Sequence, residues 1–200
     1  MKKLSLASLI IGAIFFSGCN GNSNSRSTTT DSTSNATSID TSNKMISSSS
    51  DTSKMAMVGG DAKDFSKDAA QGGMFEVQLG NIAMKNGGTQ AIKDFGKMMV
   101  HDHSKINEQL KDLAAKKNVD LPTSVSDHQQ KDIDKLNNES GKEFDKDYVS
   151  MMIKDHKDDI DAFKKAEDKI SDSDYKNFIS NSLPTLQKHL DAIEAINKKM

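Results

Sequence analysis

The chain has 200 residues, 34% hydrophobic and 28% charged, which is room for one ordinary domain or two small ones. Lysine and arginine total 27 against 29 acidic residues, a formal net charge of -2, which argues against a nucleic-acid partner because such surfaces carry a basic excess. One cysteine excludes an internal disulfide framework and a cysteine-based zinc finger.

Residues 1–18 read as an export signal. Lys2 and Lys3 precede an uncharged apolar run from Leu4 to Phe16. A helix of that run spans about 20 Å, short of the ~30 Å hydrocarbon core of a bilayer. Ser17 and Gly18 lead directly into Cys19, the lone thiol. The segment resembles a bacterial lipoprotein signal peptide, although Phe16 stands where leucine is usual. The resemblance implies cleavage before Cys19, its acylation, and a membrane as partner through the lipid. Several acyl chains suffice for stable anchoring. The expected location is the cell envelope, at the outer membrane, facing the periplasm or the surface. The alternative is a soluble export signal with an incidental cysteine.

Residues 19–60 form the expected tether. From Asn20 to Ser53, 25 of 34 residues are Ser, Thr, Asn or Gly. With almost nothing to bury, ordering entropy is not offset, and a disordered linker is expected. A free coil of that length reaches roughly 30–35 Å.

From residue 61 to 200 apolar residues recur at spacings of three and four, the helix period. A first helix is expected over Asp64–Lys85, stopped by Asn86-Gly87-Gly88. A second begins with Thr89 as N-cap and runs to Lys117, with Ile92, Phe95, Met99, His103, Ile106, Leu110 and Leu113 along one face. Asn118–Thr123 turns, and Ser126 caps a short helix over Asp127–Asn138. Gly141 interrupts, and a third long helix covers Glu143–Ile170 with Tyr148, Met152, His156, Ile160 and Phe163 inward. Ser171 or Ser173 caps the last helix, in which Pro184 is expected to make a kink or mark the true start. Four long helices on short connections predict an all-α antiparallel four-helix bundle with a short extra helix.

Two of the long helices repeat each other. Phe95-x-x-Met98-Met99-Val100-x-Asp102-His103 and Tyr148-x-x-Met151-Met152-Ile153-x-Asp155-His156 align at a shift of 53. Duplication or parallel selection explains the match better than chance. His101 aligns with Lys154 and reads as a surface residue, as does His128. Each long helix then offers one inward polar group: Glu76 among Gly72, Gly73 and Gly80, then His103, His156 and His189. Three imidazoles and a carboxylate in a dry core could hold one transition-metal ion: Zn, Cu, Fe or Mn. Met99 and Met152, four residues before their histidines, could add thioether ligands to Cu(I), and Asp102 and Asp155 could orient imidazoles. The alternative is a buried polar layer that only fixes helix register. The charge run Lys154–Asp159 reads as a solvated helix face.

These residues also carry a resemblance. Phe75-Glu76, Met98-Met99-Val100-x-Asp102-His103, Leu121-Pro122, Tyr148-x-x-x-Met152-x-x-Asp155-His156 and Leu183-Pro184-x-Leu186-x-x-His189-Leu190 occur in order. In them the chain resembles the bacterial domain of unknown function 4142 family over residues 64–197. The resemblance implies a ferritin-like fold and export, and no particular activity. Val100 and Ile153 stand three residues before the two histidines, so both glutamates of the di-iron Glu-x-x-His motif are missing. No Walker loop or Gly-x-Ser-x-Gly is present. Three functions stay open: a metal-binding envelope protein, a structural or partner-binding bundle, and a metal-dependent redox enzyme.

Overall fold

The computed structural model describes residues 59–200. The export signal, Cys19 and nearly all of the tether lie outside the described residues. Five helices follow in order: α1 (Gly60–Asn86), α2 (Gln90–Lys116), α3 (Asp127–Asn137), α4 (Gly141–Lys169) and α5 (Ser173–Asn197). The expected element types hold, and α1 begins four residues earlier than Asp64.

Local chemistry sets the boundaries. The Thr89 hydroxyl accepts the Ile92 N–H at 3.3 Å. Ser126 and Gln129 form a reciprocal capping box at the start of α3. Gly141 adopts φ 62° as it opens α4, a left-handed conformation that glycine reaches without steric cost. The cap of α5 is neither Ser171 nor Ser173. Asp172 takes that position, its carboxylate accepting from the N–H groups of Asp174 and Tyr175 at 2.9 and 3.3 Å. A carboxylate suits the positive helix end better than a hydroxyl when Lys117 pairs with it at 2.5 Å. Pro184 does not start the helix either: it lies inside α5 on an exposed position.

The four long helices pack in the ring order α1, α2, α5, α4. Short turns make α1–α2 and α4–α5 antiparallel hairpins. The Lys117–Asp172 pair puts the end of α2 beside the start of α5, so α2 and α5 run in opposite directions. Between the hairpins the chain crosses from one end to the other through α3, which lies on α1 and α4. Asn86 pins the far end of that crossover by donating to the carbonyls of Leu136, Asn137 and Glu139. One long crossover joining two hairpins makes α2 and α4 parallel at opposite corners. The repeat therefore sets His103 and His156 at one height, facing across the bundle. It does not follow chain order within the hairpins, since α2 is the second helix of its pair and α4 the first. The matching residues answer a shared position in space, which favours parallel selection over hairpin duplication.

The core has an aromatic cluster at each end. Phe65, Phe163, Tyr175 and Phe178 pack edge-on or tilted at one end, with ring centroids 4.9–6.4 Å apart. Phe144, Tyr148 and Phe95 pack at the other. The polar residues lie between. Among the described residues no helix is long and apolar enough to cross a membrane.

Candidate metal centre

All four inward polar groups converge at mid-bundle. Glu76 and His103 are 1% exposed, and His156 and His189 are 0% exposed. The glycines of α1 explain how the helices come close enough. Carbon added at Gly80 or Gly96 would fall 2.8 or 2.6 Å from the other's carbonyl oxygen, so α1 and α2 touch backbone to backbone. Gly73 leaves space for the Asn107 amide, and Gly72 faces the Asp159 carboxylate. Phe95 closes one side, 6.4 Å from the His189 ring.

Each imidazole is held by its outer nitrogen. His103 Nδ1 lies 2.7 Å from Glu76 Oε2. His189 Nε2 lies 2.9 Å from Asp102 Oδ2. His156 Nδ1 donates to the Met152 carbonyl at 2.9 Å. One nitrogen from each of the three rings lies within 4.8 Å of the others. His103 Nε2 and His189 Nδ1 face each other at 3.1 Å. Two nitrogens bound to one tetrahedral ion at about 2.05 Å would stand roughly 3.3 Å apart. Anchoring the outer nitrogen on a carboxylate or carbonyl is how proteins orient metal-binding imidazoles.

The protons do not balance in this arrangement. Partial burial pushes the Asp102 carboxyl up, but hydrogen bonds from His189 and His101, with the charges of His189 and Lys188, outweigh it and hold it below the usual carboxylate range. Asp102 is thus an acceptor, and His189 carries its proton on Nε2. A carbonyl can only accept, so His156 carries its proton on Nδ1 and presents a bare Nε2. Burial lowers His103, His156 and His189 to about 4, 3 and 4, so all three are neutral at pH 7. Burial, and then the charge of Asp155, raises Glu76 well above its ordinary value. One proton on Glu76 serves one contact only. On Oε2 it completes the chain Glu76–His103–His189–Asp102 and leaves His156 Nε2 facing Glu76 Oε1 at 3.4 Å with no donor between them. On Oε1 it serves His156 and leaves His103 Nε2 and His189 Nδ1 as two facing lone pairs. In the observed geometry Glu76 Oε1 and His156 Nε2 have no hydrogen-bond partner. Buried acceptors without donors cost about 1–3 kcal/mol each, and a cation among them removes that cost.

A family model, domain of unknown function (DUF4142), matches residues 47–196. The chain belongs to the DUF4142 family. No curated protein matches it. Among solved structures, a DUF305 fragment from Deinococcus radiodurans is similar, with a TM-score of 0.64 and 8% identity, covering 72% of this chain and 99% of that one. At that identity the likeness bears on fold alone, a ferritin-like helical bundle, as the family resemblance implied.

The other expected residues fall out unevenly. Met99 and Met152 are fully buried, and Met152 contributes its carbonyl. Asp102 orients His189, on the adjacent helix α5, rather than its sequence neighbour His103. Asp155 holds no imidazole. It turns inward toward Glu76 together with Asp159, one carboxylate oxygen of each lying within 4.8 Å of the others. The run Lys154–Asp159 is therefore only partly a solvated face. The signal for Asp159 was its position four residues after Asp155 and three after His156, on one side of the helix. His101 and His128 are exposed, as expected.

Proposed function

We propose that this chain is an envelope-anchored lipoprotein whose bundle binds one transition-metal ion, Zn²⁺ or Cu²⁺, through His103 Nε2, His156 Nε2 and His189 Nδ1. The observation that carries the reading is the missing donor: three neutral imidazoles and Glu76 present more inward lone pairs than the site has protons. Neutral nitrogen ligands suit both ions, and Cu²⁺ binds such sets more tightly than other divalent first-row metals. Three protein ligands leave a fourth position for Glu76 or water. The anchor rests on the Lys2–Cys19 segment, and its mark is palmitate label that enters the wild type and not Cys19→Ala.

The test is metal analysis of the full chain purified without an affinity tag, beside a His103→Ala, His156→Ala double variant. One equivalent of metal in the wild type, lost in the variant, is expected. Equal trace metal in both overturns the reading. The continuous chain Glu76–His103–His189–Asp102 favours a second, architectural reading, under which the variant melts lower while metal content is low in both proteins.

A further inference from the structure

Three buried or half-buried carboxylates meet where α1 faces α4. Glu76, Asp155 and Asp159 each place one oxygen within 4.8 Å of the other two. Ordinary packing keeps like charges apart or sets a lysine among them. Neither has happened. The nearby lysines of α4 are committed elsewhere, Lys154 to Asp158 at 2.6 Å and Lys157 to Glu194 at 2.9 Å. Among the described residues no lysine or arginine forms an ion pair with Glu76, Asp155 or Asp159. Asp155 Oδ2 is buried with no hydrogen-bond partner, and Glu76 beside it is 1% exposed with Oε1, which faces His156 Nε2 at 3.4 Å, likewise unpartnered.

Room and water access are present on the same side. Gly72 on α1 puts only a hydrogen where a side chain would meet the Asp159 carboxylate; carbon there would lie 3.8 Å from Oδ1. Asp155 lines a cleft of about 570 Å³ and Asp159 a smaller one of about 260 Å³, and Asp68 borders both. A cation held by the three carboxylates could complete its coordination with water from these clefts.

We propose that Glu76, Asp155 and Asp159 form a second cation site, for a hard divalent ion with oxygen ligands, beside the three histidines. The donor chemistry separates the two sites. Carboxylate and water oxygens suit Mn²⁺, Mg²⁺ or Ca²⁺, whereas three neutral imidazoles suit Zn²⁺ or Cu²⁺. Glu76 belongs to the carboxylate group and touches two of the three imidazoles, so it borders both sites. The second site does not require the first to be occupied.

Mn²⁺ is the probe. The full chain, stripped of metal, is titrated with Mn²⁺ while the six-line resonance of the free ion is followed by electron paramagnetic resonance. One equivalent is expected to lose its signal in the wild type. Asp159→Asn, nearly isosteric, is expected to weaken binding at least tenfold, and Asp168→Asn, an exposed carboxylate on the same helix, to leave it within about twofold. Mn²⁺ is also expected to raise the melting temperature of the wild type and not of Asp159→Asn, whose cooperative melting shows that it is folded. A wild type that leaves Mn²⁺ free at millimolar concentration overturns the proposal, as does equal binding by Asp159→Asn. Zn²⁺ binding that depends on the histidines is read separately, so failure at either site is distinct.

Discussion

At the scale of single residues, the deciding feature is which nitrogen carries a proton. Met152 and Asp102 can only accept, and they set the tautomers of His156 and His189. His103 has no such fixed neighbour, because burial keeps Glu76 protonated beyond the usual carboxyl range. In the metal-free site Glu76 can donate to His103 Nδ1, which leaves the proton on Nε2 where a metal would sit. Binding requires Glu76 to give up its proton and His103 to turn its own toward Glu76. One proton therefore leaves for each ion bound. Below the raised pKa of Glu76, Zn²⁺ affinity should climb with pH by up to about tenfold per unit. Calorimetry in two buffers of different ionisation enthalpy measures the count: one proton for the wild type and none for Glu76→Gln are the expected results. Zero for the wild type would mean that Glu76 is ionised before the metal arrives.

At the scale of elements, the contact between α1 and α2 governs how near Glu76 comes to His103. Gly80 and Gly96 meet through backbone, so neither neighbour can yield by rotating a side chain. In Gly96→Ala the new methyl would fall 2.6 Å from the Gly80 carbonyl oxygen and 2.8 Å from Ala83 Cβ. The helices must part, at an expected cost of about 1–3 kcal/mol in chemical denaturation. Metal affinity should fall with it, because the Glu76–His103 contact spans that seam. Much of this level is legible in the residue order. The helix period places Glu76, His103 and His156 inward, Asn86-Gly87-Gly88 stops α1, and Ser126 announces α3. Asp172 is less legible, because its advantage over the neighbouring serines comes from Lys117 on another helix. Asp159 hides in a run of alternating charges, where composition masks direction. Buried Asp145 has no local signature at all: it accepts the Gly88 N–H at 2.7 Å and ties the α1–α2 turn to α4. Partners across the bundle follow from ring order and crossover, which local periodicity does not encode.

At the scale of the whole molecule, the buried groups set opposing slopes of stability against pH. Burial lowers the three histidines, so as pH falls from about 6.5 toward 4 the unfolded chain takes up protons that the folded chain refuses, and stability drops. Burial raises Glu76, Asp155 and Asp159, Asp155 to about 8 with help from the Asp159 charge, so as pH rises from about 4 the folded chain retains protons that the unfolded chain has lost. This slope has the opposite sign, with stability dropping as pH rises. Between about pH 4 and 6.5 the two offset each other, and above 6.5 only the carboxyls remain. Metal-free protein in chelator should therefore lose stability from pH 6.5 to 8, by at most about 1.4 kcal/mol per unit for each carboxyl. Urea midpoints across that range provide the measurement. Asp159→Asn should flatten the slope, and a flat wild-type profile would mean that the carboxyls are solvated.

The crossover through α3 has a consequence for assembly. The first hairpin brings Glu76, Asp102 and His103, and the second brings Asp155, His156, Asp159 and His189. No ligand set is complete within either half, and no two of the three imidazoles come from neighbouring turns of one helix. A hairpin that forms alone would offer an ion only part of either set. The proposed centre would come into being only when the halves dock, so an ion captured there would report finished tertiary structure and add to the polar ties, Lys117–Asp172 and Gly88–Asp145 among them, that already join the two pieces.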